Sequence, residues 1–358
     1  MKILFLVPYP LGESPSQRFR FEQYFNLLAH HQIQYKVSSF LKSHDWKTFF
    51  KSGRSWRKAG LLIEGMLRRM MDLFQAANSD FVFIHRECAP IGPPVFEWII
   101  AKVLRKKIIY DFDDAIWMTD KTNESWMERK VRWRSKVKWI CTWSYKVSCG
   151  NNYLGEYARQ FNKNVVLNPT TIDTADLHNN ALHVKVKNEK IIIGWTGSHS
   201  TLKYLKSLEH VLQKLEAKYS AIEFWVIADR SPSLKLAKLH FKAWSLETEI
   251  SDLAHFDIGI MPLPDDEWTK GKCGFKALQY MALEIPTVAS AIGVNTSIIQ
   301  HGINGLLVTE ASQWESFLIN LIENESLRKQ LGAEGRKTVE KSYSVQSNKG
   351  VFLSLFAD

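Results

Sequence analysis

The chain of 358 residues has four cysteines, Cys88, Cys141, Cys149 and Cys273, widely spaced and without a Cys-x-x-Cys pair. That spacing suggests neither a zinc ribbon nor a disulfide framework and fits a reducing compartment such as the cytoplasm. No segment approaches the ~18 uninterrupted apolar residues of a membrane-spanning helix. The opening MKILFLVPYPLGE is a short apolar run followed by a turn, with no small-residue cleavage site, so it reads as a buried first strand and not as a leader peptide. Gly-x-Gly-x-x-Gly and P-loop spacings are missing, which removes the usual dinucleotide and ATP fingerprints. There is no low-complexity tract and no solenoid-type repeat. With 45% hydrophobic and 23% charged residues the chain is neither disordered nor collagen-like, and its length suits two domains, each able to bury its own core.

Charge is present and unevenly placed. The chain carries 47 Lys+Arg against 37 Asp+Glu, a formal +10. Residues 1–170 hold 27 and 15 of these (+12), which leaves 20 and 22 (−2) for residues 171–358. The whole positive excess therefore sits in the N-terminal half.

Short β-branched and aromatic runs recur at Lys2 to Val7, Phe81 to His85, Lys107 to Phe112, Lys146 to Cys149, Val165 to Asn168, Lys190 to Gly194, Glu223 to Ala228, Asp257 to Met261 and Pro286 to Ala289. Helical stretches lie between them, a pattern that predicts parallel sheets with helices on both faces. The clearest helix is expected over Thr201 to Tyr219, where Leu202, Leu205, Leu208, Leu212 and Leu215 recur at helical steps. A boundary is expected after Val165-Val166-Leu167-Asn168-Pro169, where the mostly polar stretch Thr170 to Asn188 precedes a new strand in KIIIGWTG. Two doubly wound domains would bind ligands at the carboxyl ends of their strands.

Two segments of the C-terminal half fit an anion. Gly194-Trp195-Thr196-Gly197-Ser198-His199-Ser200-Thr201 follows a strand and opens the leucine-striped helix, where glycines, N–H groups and the helix dipole suit a phosphate, although such a turn is also an ordinary connection. The stretch from Asp257 to Ser290 combines a Pro-rich loop with Lys270, Lys272 and Lys276 at a helix start. Cations there oppose the dipole unless an anion offsets both; the alternative is a solvated lysine loop.

GFKALQYMALEIPTVAS resembles the donor-site signature of GT-B glycosyltransferases of the large retaining family 4, with Lys276 at the family's lysine and Gln279 at its second glutamate. VVLNPTTID at the domain junction, GINGLLV from Gly302 to Val308, and a glycine-bearing loop after the first strand agree. The resemblance departs at Gly271, where the family's first glutamate would lie, and at Trp195, which replaces the arginine of the usual phosphate loop. It implies two Rossmann-like domains facing a cleft: residues 1–170 on the acceptor side, 171–338 binding a nucleoside diphosphate sugar, and 339–358 as a C-terminal helix packing back toward the N-terminal domain. It also implies transfer of a glycosyl unit with retention and without a metal or other cofactor. Leaving-group charge would be met by Lys276 and Lys272, aided by Lys203, by the N–H groups of Gly197 to Ser200, Ser198 among them, and by those of Gly274 and Phe275; Gln279 would accept a ribose hydroxyl. The departures leave open a catalytically impaired GT-B-like binding protein.

In the N-terminal half, Tyr110-Asp111-Phe112-Asp113-Asp114 follows a strand, and three carboxylates so close need a proton, a partner or a cation. They could form a D-x-D metal site as in GT-A enzymes or a strand end capped by carboxylates. By position within the family, Asp113 would orient or deprotonate the acceptor hydroxyl. Arg18 and Arg20, just after the first strand, could meet a phosphate of a lipid-linked acceptor, and His85 reads as a structural strand-end residue. Lys42 to Arg69 and Trp117 to Trp143 interleave bases with aromatics: Trp46, Phe49, Phe50 and Trp56, then Trp117, Trp126, Trp133, Trp139 and Trp143 among Lys130, Arg132, Arg134, Lys136 and Lys138. This suits an anionic membrane surface; a nucleic acid is the competing partner, but no helix-turn-helix, zinc finger or RNP motif accompanies it. The expectation is a peripheral enzyme at the cytoplasmic face of the membrane, acting on a glycan or lipid-linked acceptor in envelope polysaccharide synthesis and binding no nucleic acid.

Overall fold

The computed structural model of the chain describes residues 1–49, 55–119, 124–179, 181–183 and 189–357. Phe50 and the parts of the expected basic and linker stretches at 51–54, 120–123, 180 and 184–188 lie outside the described residues. The chain forms two compact units, Met1–Thr170 with Asn348–Asp358, and Thr171–Ser347.

The first unit is built on β1 (Lys2–Val7), β2 (Gln34–Ser39), β3 (Phe81–His85), β4 (Lys107–Phe112), β5 (Lys146–Cys149) and β6 (Val165–Leu167). They pair in parallel in the order β2-β1-β3-β4-β5-β6. The central strands are mostly apolar because helices cover both faces, with His85 and Asp111 the buried polar exceptions near their carboxyl ends: β3 is buried at every residue, and β1 and β4 at every residue but the first. Residues 348–357 complete this core. Phe352 stacks on Tyr24 with ring centroids 4.3 Å apart, and Phe356 meets Phe81 at 5.8 Å and Phe83 at 6.2 Å.

The second unit contains β7 (Ile191–Gly197), β8 (Ile222–Ala228), β9 (Leu239–Ala243), β10 (Ile258–Met261), β11 (Thr287–Ser290) and β12 (Leu306–Val308), in the order β12-β11-β10-β7-β8-β9. Side chains alternate across the sheet, so Ile193 and Trp195 enter one core with Leu205, Leu208, Leu212 and Leu215, while Ile192 joins Phe256 and Tyr280 on the other face. The expected α/β class with two doubly wound sheets is the one found.

One expected element differs. Thr201 to Tyr219 is not a single helix: a 3₁₀ turn at His199–Thr201 leads into Leu202–Lys206, and a second helix runs over Glu209–Lys218. Ser207 sits at the break, its hydroxyl donating back to the Tyr204 carbonyl at 2.7 Å, a local bond that competes with the helical ladder. The leucine stripe survives because both pieces turn the same face inward.

Among the described residues no helix is long and apolar enough to cross a membrane. The helix Ser55–Ala77 nevertheless turns apolar side chains outward. Trp56 is 93% exposed, Phe74 77% and Ile63 62%, and Leu67, Met70 and Met71 are each more than half exposed. Two of its charged groups point inward, where buried Arg69 pairs with Asp72 at 2.8 Å. This helix packs beside the helical segment Val95–Val103, which packs beside Lys136–Trp143; Trp98, Val103 and Trp139 are exposed on these neighbours.

Candidate functional site

In a doubly wound sheet, ligands bind where the strand order reverses, beyond the carboxyl ends of the strands. In the second unit that point lies between β7 and β10, which pair at Ile258↔Ile193 and Gly259↔Gly194. Most of the expected donor residues gather at this edge.

β7 ends at Gly197. A Cβ there would lie 2.5 Å from the Trp195 ring and 2.8 Å from Cε of Lys276, so only glycine lets these two side chains pass. Lys276 is on the helix Phe275–Ala282, and its ammonium lies 5.5 Å from the centroid of the buried Trp195 ring. Trp195, at the place of the family's phosphate-loop arginine, is therefore a platform beneath a lysine. The helix is tied to β7 by the Thr196 amide, which donates to the Tyr280 hydroxyl at 2.9 Å.

Gly274 caps the same helix at φ +70°, and a Cβ there would come within 2.3 Å of Ile298. This left-handed turn aims the first turn of an eight-residue helix, with its partial positive charge, at the loop that carries Lys272. The Lys272 ammonium rests 4.9 Å from the Trp268 ring centroid. Lys270, third of the lysines grouped in the sequence, pairs with Glu267 at 2.7 Å and Asp265 at 3.6 Å, and so belongs to the loop's own charge balance. Gly271, at the place of the family's first glutamate, ends the short helix Glu267–Lys270.

The glycine-serine turn supplies less than expected. His199 donates its amide to Asp229 and its Nδ1 lies 2.6 Å from the other carboxylate oxygen, so this turn is braced by an acidic residue at the end of β8. Ser198 and Ser200 bond each other at 2.8 Å, and Lys203 lies 5.3 Å from the Tyr204 ring. The expectation that every amide from Gly197 to Ser200 faces an anion is corrected for His199, and the three-residue 3₁₀ turn replaces the helix start counted on for its dipole. Gln279 is buried and donates to Glu249 at 3.3 Å, which brings a carboxylate from the helix Glu249–Leu253 beside it. No signal in the sequence linked these positions.

The first unit places its polar groups at its own reversal point, between β1 and β3. Arg20 does not face solvent, a correction to its reading as an acceptor contact. Its guanidinium is fully buried and bonds both Asp111 carboxylate oxygens, the Asn168 carbonyl and the Ser148 hydroxyl. Asp111 also meets Nδ1 of His85 at 2.8 Å, and Nε2 of His85 meets the Ser16 hydroxyl at 3.2 Å. Burial alone would raise the Asp111 carboxyl, but Arg20 and His85 overcome it and hold the group well below the usual carboxylate range. Arg18 is half-buried, with its guanidinium 4.9 Å from the Phe19 ring centroid.

Asp113 is held by an arginine as well. Arg86, at the end of β3 in a left-handed conformation (φ 61°), reaches Asp113 through Nε at 3.0 Å and Nη2 at 2.7 Å, and Asp114 through Nη2 at 2.8 Å. Burial opposes the Arg86 charge, yet the two carboxylates outweigh it and raise the guanidinium above its ordinary value. The crowded acidic run is thus neutralised by two arginines, Arg20 on one side of the strand end and Arg86 on the other. As a base, Asp113 would act from within an ion pair. Among the described residues no group of three or more His, Cys, Asp or Glu could hold a metal ion.

The basic-aromatic stretches divide in the same way. Arg69 and Lys136 are buried, Lys136 pairing with Glu87 at 2.7 Å, and Arg134 pairs with Glu124. Trp117 stacks on Tyr157 at 3.6 Å, whereas Trp126, Trp133 and Trp139 are exposed.

Residues 190–324 match the family described as glycosyl transferases group 1. No curated protein sequence matches the chain. The fold is similar over whole chains to several solved structures. A glycosyltransferase from Rickettsia africae has a TM-score of 0.70 at 16% identity, covering 100% of this chain and 99% of that one. Anabaena HepE in complex with UDP-glucose has 0.66 at 15%, covering 100% of both. The lipopolysaccharide outer core galactosyltransferase WaaB, in its apo form, has 0.63 at 12%, covering 99% of both. The chain shares the GT-B fold of these structures, and residues 190–324 of its second unit match the glycosyl transferases group 1 family.

Proposed function

We propose that the chain moves a sugar from a nucleoside diphosphate sugar to a glycan or lipid-linked acceptor in envelope polysaccharide synthesis, with retention of configuration and without a metal. The observation that carries this reading is the side chain of Lys276 lying across Gly197 and over the Trp195 ring at the reversal point of the second sheet. Two segments some eighty residues apart in sequence thereby form one cationic edge.

As the bond from the anomeric carbon to the diphosphate breaks, negative charge grows on the β-phosphate. Lys276, Lys272 and Lys203, with the N-terminal turn of Phe275–Ala282, are the fixed positive groups available to meet it. Held over the Trp195 ring, the Lys276 ammonium can compensate the leaving group with little rearrangement, which is the service a divalent ion gives elsewhere. The Gln279–Glu249 pair offers acceptors for ribose hydroxyls.

The acceptor belongs to the first unit, whose basic excess suits a membrane-borne phosphate. The outward apolar face of Ser55–Ala77 supports peripheral attachment to the inner leaflet from the cytoplasm. It gathers exposed Trp56, Ile63, Leu67, Met70, Met71 and Phe74 on one helix, and Arg57, Lys102 and Arg105 lie exposed on and beside it.

Replacing Lys276 by Ala is expected to lower kcat for nucleotide-sugar turnover by ~10²–10³, the usual loss for one donor to developing charge. Chelation by EDTA should leave the wild-type rate unchanged. Nucleotides that raise the melting temperature while no donor sugar is turned over would establish the impaired binding protein instead.

A further inference from the structure

We propose that a cavity in the first unit, walled by Trp117, Glu124, Arg129, Lys130, Trp133 and Arg134, binds an acidic saccharide, its sugar ring against the two indoles and its phosphate or carboxylate on the basic side chains. The cavity is about 690 Å³ in volume, within the ~300–1,000 Å³ of small-ligand sites. Trp117 follows the carboxyl end of β4, the end of the sheet at which open α/β folds present ligands. All of the lining residues fall between Trp117 and Ser135, so the site belongs to the first unit alone.

The two indoles are set by different means. Trp117 stacks on Tyr157 with ring centroids 3.6 Å apart and planes 2° from parallel, and it meets Phe112 edge-on at 6.1 Å, so one side of its ring is fixed by the protein. Trp133 ends the helix Trp126–Arg132 in a left-handed conformation, φ 49°, which a bulky residue seldom adopts. It remains 46% exposed. A half-open indole on a strained turn adds little to a core. Against a pyranose it offers an apolar face to the ring C–H groups.

The charge around the indoles selects among sugars. Arg129 lies one helical turn before Trp133 and on the same face. Its side chain makes no ion pair among the described residues, and neither does Lys130, whose ammonium rests 4.0 Å from the Trp126 ring centroid. Arg134 is already paired with Glu124, so Arg129 and Lys130 are the cations left for a ligand's anion. The Arg134–Glu124 pair supplies donors and acceptors for ring hydroxyls. A pyranose has an apolar face and a hydroxyl-bearing rim, and this wall matches both; the surplus positive charge favours a sugar that carries an acid. A bare phosphate would use the cations and leave the indoles idle.

The test is direct binding of glucuronate, glucose 1-phosphate, glucose and inorganic phosphate to the full chain, by titration calorimetry without any nucleotide sugar. Both acidic sugars should bind at least ~10-fold more tightly than glucose, the difference one charge-assisted hydrogen bond makes, and more tightly than phosphate. Arg129→Gln should bring the acidic sugars down toward the affinity of glucose. Trp133→Ala should weaken acidic and neutral sugars alike, by about 2–10-fold, the worth of one aromatic contact. Both side chains are exposed, so the variants should melt with the wild type, whereas Trp117 is left in place because it packs on Tyr157. A wild type that binds neither acidic sugar, or that binds phosphate as tightly as glucose 1-phosphate, overturns the site. So does binding that both variants keep, since the sugar then lies elsewhere on the chain. A single-stranded oligonucleotide that binds, and loses affinity in both variants while the acidic sugars do not bind, overturns it in favour of nucleic acid. No donor takes part in these titrations, so their failure leaves sugar transfer standing and the failure of sugar transfer leaves this site standing.

Discussion

Arg20 and Asp111 form a buried pair whose members are separated by 91 positions in the sequence. A charge left alone in that site costs about 3–5 kcal/mol, so Arg20→Met should lower stability by that order at neutral pH. The carboxyl of Asp111 titrates lower in the folded chain than in the unfolded one. Its share of stability is therefore complete above the unfolded carboxylate value near ~4 and fades as the pH falls below it. Urea titrations from pH 7 down to 3 should show the wild type losing stability steeply at the acid end and Arg20→Met doing so less. Equal acid slopes would mean that Arg20 does not set the Asp111 titration. The sequence displayed Asp111 and His85 at strand ends and Arg20 after the first strand, but nothing local says that the fold brings these three separate segments together. Arg86 was equally invisible as the partner of Asp113, since its reach depends on a left-handed turn at the end of β3.

At the scale of the element, what was legible follows from burial. The nine strands read from apolar runs are those with two covered faces, together with β6. The three not read, β2, β9 and β12, are edge strands of their sheets. An edge strand has a neighbour on one side only and is free to be polar: β2 reads QYKVSS and β9 reads LHFKA, with four of its five residues exposed. The donor segment was legible because Gly274, Lys276 and the helix after them are contiguous, whereas the pairing of Gln279 with Glu249 was not. The helix Ser55–Ala77 is the opposite case, a segment whose bases were legible and whose orientation was not. Replacing Trp56, Leu67 and Phe74 together by Ser should leave the melting temperature within a few degrees of wild type, because these side chains touch little of the protein's own core. The same variant should lose most of its co-sedimentation with vesicles containing phosphatidylglycerol. Undiminished sedimentation would remove this helix from the membrane reading.

For the molecule as a whole, the two units each have a sheet with both faces covered and a core of their own. Calorimetry should accordingly resolve two transitions. UDP, GDP, ADP or CMP, whichever binds, should raise only the transition belonging to Thr171–Ser347, by an amount that grows with the logarithm of its concentration. A nucleotide that shifts the other transition alone would place the donor in the wrong unit. The charge asymmetry acquires a structural sense here: the +12 half forms the first sheet and its helices, although some of its bases, Arg20, Arg69 and Lys136 among them, are internal counterions and not surface charge.

Phe352 and Phe356 close the core of the unit that begins at Met1. During synthesis, then, the first 170 residues leave the ribosome with an aromatic gap between Tyr24 and Phe81 that stays open while the entire second unit is made. The second unit, contiguous from Thr171 to Ser347, has all its own strands beforehand and can finish first, so the order of maturation runs against the order of translation. A nascent chain halted before residue 352 should resist protease in its later half and yield in its earlier one.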